Sequence, residues 1–205
     1  MRATRLTFDG HIAGFGTGVG VRVVVGAWSR SPFGGFTDVM LQTPDDRRLL
    51  LAPTAEVAEF VASSYHFDDV VVAPVAAQRS ADTLAVTSPT LEFVATIGGP
   101  APIDRLLRLV PARLAGAPWW LRAIEPVAAR ILPGVHTAGT AGNGRREYYG
   151  VRRSRLVTAI SGQFDGTDLG GLARLEPPVQ FGFASAPATP QIVAVTTRID
   201  LPAAG

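Results

Sequence analysis

The sequence predicts an α+β fold, mainly β: a closed or barrel-like antiparallel sheet carrying a helical insertion at about 100–133. Three observations predict it. Short apolar runs rich in β-branched residues recur from Arg5 to Ile97, helical spacing takes over across 98–133, and strand patterning returns from Arg146. The chain has 205 residues and no internal repeat, so it reads as a single domain over 1–205.

Leu6, Phe8 and Ile12 are apolar positions of a first strand, and Val21 to Val25, bounded by Gly20 and Gly26, is a second. Phe36 to Leu41 and Leu49 to Leu51 flank Thr43-Pro44-Asp45-Asp46, a turn signal, and so form a hairpin. Thr54 is placed as the N-cap of a helix whose apolar face is Val57, Phe60 and Val61. Val70 to Val75, Thr83 to Thr87 and Leu91 to Ile97 follow as strands. In the insertion, Asp104 is read as capping a short helix with Leu106, Leu107 and Val110. Pro118 opens a second helix at a position that favours proline, with Pro126 inside it. Residues 137–145 are small and read as a mobile loop. Tyr148 to Ile160, Val179 to Phe183 and Ile192 to Ile199 are the closing strands.

Composition narrows the chemistry. The 19 basic residues are all arginine, so no side chain can form a Schiff base with a carbonyl compound. Cysteine is absent, which removes disulfides and cysteine-based zinc sites. The three histidines lack metal-ligand spacing, and no cofactor is implied. A net charge of +2 argues against a dedicated nucleic-acid binder. No signal peptide and no 18-residue apolar run is visible, so a cytoplasmic protein is expected, with a membrane role disfavoured.

Four local patterns bear on function. Gly14 to Gly20 is glycine-rich, but it leads into a strand and lacks the spacing of a phosphate loop, so it reads as a turn or strand edge. Tyr65-His66-Phe67-Asp68-Asp69 is the densest titratable cluster; it is either an acid–base site or a helix-to-strand loop with ordinary turn aspartates. Arg145, Arg146, Arg152, Arg153 and Arg155 surround Tyr148 and Tyr149, either as a solvated strand surface or as an anion or nucleic-acid grip. Trp119-Trp120 can serve a homo-oligomer interface or a membrane surface.

Taken in order, several segments resemble the acetoacetate decarboxylase-like superfamily. They are Ser31-Pro32-Phe33-Gly34-Gly35-Phe36-Thr37-Asp38-Val39-Met40-Leu41, the stretch Thr54 to Val75, Arg130-Ile131-Leu132-Pro133-Gly134-Val135, and Leu172 to Ile199. Together they amount to about one-third of the chain, in order from position 31 to position 199. The resemblance implies a closed β structure around a central pocket. The family's catalytic lysine follows an aromatic-Gly-Phe-Pro turn; the comparable stretch here, Tyr65 to Asp69, has neither proline nor lysine. Imine-based decarboxylation is therefore excluded. The resemblance implies instead a pocket for a small apolar or acidic molecule, for binding or for chemistry without a Schiff base. His66 and Asp68 are its candidate catalytic groups, and Tyr65, Asp69 and Arg130 its candidate lining. The alternative is a non-catalytic interaction protein that uses Trp119-Trp120.

Overall fold

The computed structural model describes residues 4–131, 137–140, 142–182 and 186–202. Strands β1 (Arg5–Thr17), β2 (Arg22–Arg30), β3 (Phe36–Gln42) and β4 (Arg48–Ala52) come first, followed by helix α1 (Ala55–Ala62). Strands β5 (Asp69–Val72), β6 (Ala76–Arg79), β7 (Thr83–Thr87) and β8 (Leu91–Pro100) lead to three helices: α2 (Asp104–Leu107), α3 (Ala112–Ala115) and α4 (Pro118–Ile131). The chain closes with β9 (Ala138–Thr140), β10 (Arg146–Phe164), β11 (Thr167–Asp168), β12 (Leu172–Ala173) and β13 (Gln191–Asp200).

One mainly-β sheet results, a curled half-barrel with the order β5-β4-β3-β2-β1-β13-β10-β8-β7-β6. Its pairings are antiparallel except one: β4 and β5 run parallel, from Leu49↔Asp69 to Ala52↔Val72. An all-antiparallel sheet was expected. The difference follows from α1, which crosses over between β4 and β5; two strands joined by a helix return in the same direction. The sheet is barrel-like rather than closed, because the path ends at β5 and β6 and no pairing joins these two among the described residues.

Side-chain alternation divides the sheet into two faces. Ala13 and Phe15 of β1, Val23 and Val25 of β2, Val39 and Leu41 of β3 and Leu51 of β4 belong to one buried aliphatic core with Leu84, Val86, Phe93, Ala95, Val157 and Ile192. The residues between them point the other way. Leu50 and Ala52 meet Val57, Ala58 and Val61 of α1. The segment around Leu175, Val179 and Phe181 packs against Val24 and Met40.

Thr54 does cap α1, its hydroxyl accepting from Val57 N–H at 3.2 Å. Asp104 is not a cap. It is the first residue of α2, 1% exposed, and its carboxylate accepts from Ser154 N–H at 2.8 Å, Arg108 Nε at 2.8 Å and Arg153 Nε at 3.1 Å. That contact fastens the helical insertion to β10. Gly150 helps on the same strand, since a side chain there would meet the Ala115 carbonyl at 2.4 Å. The expected strand at Val179–Phe183 is not formed over Val179 to Phe181, and Phe183 lies outside the described residues. The expected mobile loop is partly a strand: β9 pairs with Arg146 to Tyr148.

Candidate functional site

The second face of the sheet holds a cavity of about 100 Å³. Val24, Gly26 and Trp28 of β2 line it, with Phe36, Asp38 and Met40 of β3. Phe8 and Ile12 come from β1, Thr197 and Ile199 from β13, Glu147 and Tyr149 from β10, and Phe60, Val61, Ser64 and Tyr65 from α1 and the turn after it. Phe181 and Ala186 complete the lining. One wall is an aromatic cluster, with Phe8 5.5 Å from Phe60 and 5.6 Å from Trp28, centroid to centroid.

Three oxygens meet in this apolar setting. Tyr65 and Tyr149 each donate to Glu147 Oε2 at 2.7 Å, and the two phenol oxygens are themselves 2.7 Å apart. Glu147 is fully buried. Desolvation raises its pKa, while the bonds from Tyr65 and Tyr149 pull it back only in part. Both phenols are pushed well above their ordinary value, first by burial and then by the nearby Glu147 charge.

Asp38 is the second acid. It is 3% exposed, and burial raises its pKa to about 7 against the lowering effect of the Trp28 indole N–H, which donates to Oδ1 at 3.0 Å. Gly26 makes that bond possible, because a Cβ there would come within 2.5 Å of Asp38 Oδ1 and 2.6 Å of Trp28 Nε1. Arg145 stands behind the cavity. It donates to the Phe60 carbonyl at 3.0 Å and to Ser64 Oγ at 2.7 Å, and lies 4.6 Å over the Phe60 ring. Among the described residues, no arginine or histidine lines the cavity.

Of the four candidate site residues with described side chains, Tyr65, His66, Asp68 and Asp69, only Tyr65 reaches this cavity. His66 is exposed, and its backbone N–H donates to the Phe181 carbonyl at 2.7 Å. Asp68 faces solvent in a two-point ion pair with Arg48, Oδ1 at 2.8 Å and Oδ2 at 3.0 Å, and its pKa falls to about 2 chiefly through that bond. Asp69 pairs with Arg47 at 2.6 Å. The expected convergence of Tyr65, His66 and Asp68 on one cavity therefore holds for Tyr65 only: the chain turns outward at His66, and arginines of the β3–β4 hairpin capture the two aspartates. Arg130 lies on α4, its side chain outside the described residues, as are residues 132–135 of its segment. Glu147, Tyr149 and Asp38 were not singled out as site residues. Asp38 did carry a signal, being one acid inside the apolar run Phe36 to Leu41. No three of His, Asp and Glu stand together as a cation site among the described residues.

No family model matches the chain. No curated protein matches it either. Among solved structures, the chain is similar to an acetoacetate decarboxylase from Legionella pneumophila subsp. pneumophila str. Philadelphia 1, with 10% identity, a TM-score of 0.42, and coverage of 98% of this chain and 86% of that one. This is the family that the sequence segments resemble, and at so low a TM-score the site stands on the chain's own geometry.

Proposed function

We propose that this chain is a small-molecule-binding protein whose ligand lies in the cavity against Glu147, Tyr65 and Tyr149. The observation that supports it is a built polar cluster in a mostly apolar cavity with an aromatic wall, the usual form of a small-ligand site. The lining favours an apolar ligand over an acidic one. An anion would meet the Glu147 and Asp38 carboxyl groups and, among the described residues, no lining cation. Chemistry without a Schiff base fits the same place, because an acid whose pKa lies near 7 is suited to proton transfer.

The reading is tested by native mass spectrometry on the purified chain, alongside Val24→Phe. Val24 points into the cavity while its neighbours Val23 and Val25 point into the packed core. The larger ring fills the space, with a stability change of about 1–3 kcal/mol for overpacking. A small molecule that accompanies the native chain and is lost from the variant is expected. Equal retention by both would place the ligand elsewhere.

A second reading rests on the helical insertion. Trp119 is 62% exposed and packs edge-on against Trp120, 6.1 Å between ring centroids, an aromatic pair suited to a second copy of the chain. Trp119→Arg then lowers the mass measured by sedimentation from dimer to monomer; a native chain that sediments as a monomer removes this reading.

A further inference from the structure

Two buried oxygens at the cavity have no hydrogen-bond partner among the described residues: Glu147 Oε1 and Thr197 Oγ1. Glu147 is 0% exposed and Thr197 4%, and both residues line the cavity. The strand register explains why they lie near each other. Tyr149 is opposite Thr197 and Glu147 is opposite Ile199 across β10 and β13, so Glu147 and Thr197 are diagonal neighbours on one face. An unsatisfied buried polar atom costs stability, and two of them beside one cavity mark a place where a guest completes the bonding.

We propose that the cavity takes a small neutral alcohol with an apolar body, whose hydroxyl donates to Glu147 Oε1 and accepts from Thr197 Oγ1–H. This rests on the cavity being a ligand site. It follows from what each orphan needs. In its carboxylate form, with both phenols donating to Oε2, Glu147 offers a free oxygen Oε1 that only accepts. The threonine hydroxyl can do either. A single hydroxyl group, donor and acceptor at once, satisfies both. A ketone cannot, having no donor for Glu147. An ammonium could donate to both oxygens, but it leaves a charged N–H group with no acceptor against the apolar wall of Phe8, Ile12 and Val24. A carboxylate meets two acids. The volume sets the size of the body, which holds about five or six carbon atoms; an engineered cavity of about 150 Å³ in another protein holds benzene.

The test is an NMR titration of the full chain at neutral pH with four probes of one size: cyclopentanol, cyclopentanone, methylcyclopentane and cyclopentylammonium. Cyclopentanol is expected to bind at least about tenfold more tightly than each of the others. Thr197→Val is expected to remove most of that preference while raising the melting temperature, because it deletes an unsatisfied buried hydroxyl from a strand that suits valine. A purely structural threonine would not produce these two changes together. Cyclopentanone or the ammonium binding as tightly as the alcohol overturns the ligand class and leaves the cavity reading standing, as does a crystal structure in which a water stays between Glu147 and Thr197 in the presence of cyclopentanol. If none of the four binds, and Val24→Phe alters no small molecule carried by the chain, the cavity reading itself has failed.

Discussion

Replacing Asp38 by asparagine is expected to stabilise the protein by about 4 kcal/mol at about pH 8 and to change little at about pH 4. The cause is the burial that raises the Asp38 pKa from 3.8 to about 7. Between those two values the folded chain keeps a proton that the unfolded chain has released. The unfolded state therefore binds fewer protons, and stability falls as pH rises. This contribution is complete below the unfolded value, is lost as pH rises through the folded one, and is flat beyond. Asparagine keeps an oxygen for the Trp28 indole, so the 3.0 Å bond survives and the change isolates the charge. Urea unfolding of both chains across this range measures the effect. Parallel stability–pH curves for the two would show that Asp38 is not the group responsible.

Asp104→Ala is expected to cost about 3 kcal/mol. Desolvation alone would raise the pKa of this carboxylate, but the Ser154 N–H and the guanidinium groups of Arg108 and Arg153 together outweigh it, and the net shift is downward. Alanine leaves the Ser154 N–H without its acceptor in a residue that is 1% exposed, and it releases both arginines. The loss should appear first in the helical insertion. Amide hydrogen exchange is expected to quicken across α2 and α3 while β1 to β4 keep their protection. Uniform loss of protection over the whole chain would contradict the view that Asp104 acts as a local fastener.

Much of the fold was legible because it is written in local pattern. Thr83 to Thr87 forms a strand with the bounds read from sequence, the turn at Thr43 to Asp46 joins β3 to β4, and Thr54 caps α1. The parallel return of β5 was not legible, since nothing within four residues declares strand direction. The candidate site was barely legible at all, and the reason is distance along the chain. Tyr65 and Glu147 are 82 residues apart and meet only because β10 joins the sheet beside β13. Local density of titratable groups favoured His66, Asp68 and Asp69, yet density of that kind marks surfaces as readily as sites. Asp68 and Asp69 found arginines 20 and 22 positions back and stayed in water. The arginine run from Arg145 to Arg155 misled in the opposite sense. Arg145, Arg153 and Arg155 are engaged with Phe60 and Ser64, with Asp104, and with Gly98 and Asp82 respectively, and the informative residues were the glutamate and tyrosine between them.

Strands β2 and β3 place one set of side chains in the solid aliphatic core and the alternate set around the cavity. Their two tasks are therefore separable by parity. Substitutions at positions 24, 36 and 40 reshape the cavity, and with it any guest of the proposed site, while positions 23, 25, 39 and 41 hold the fold. Such a scaffold can change the shape of its cavity over evolutionary time without first surrendering its fold.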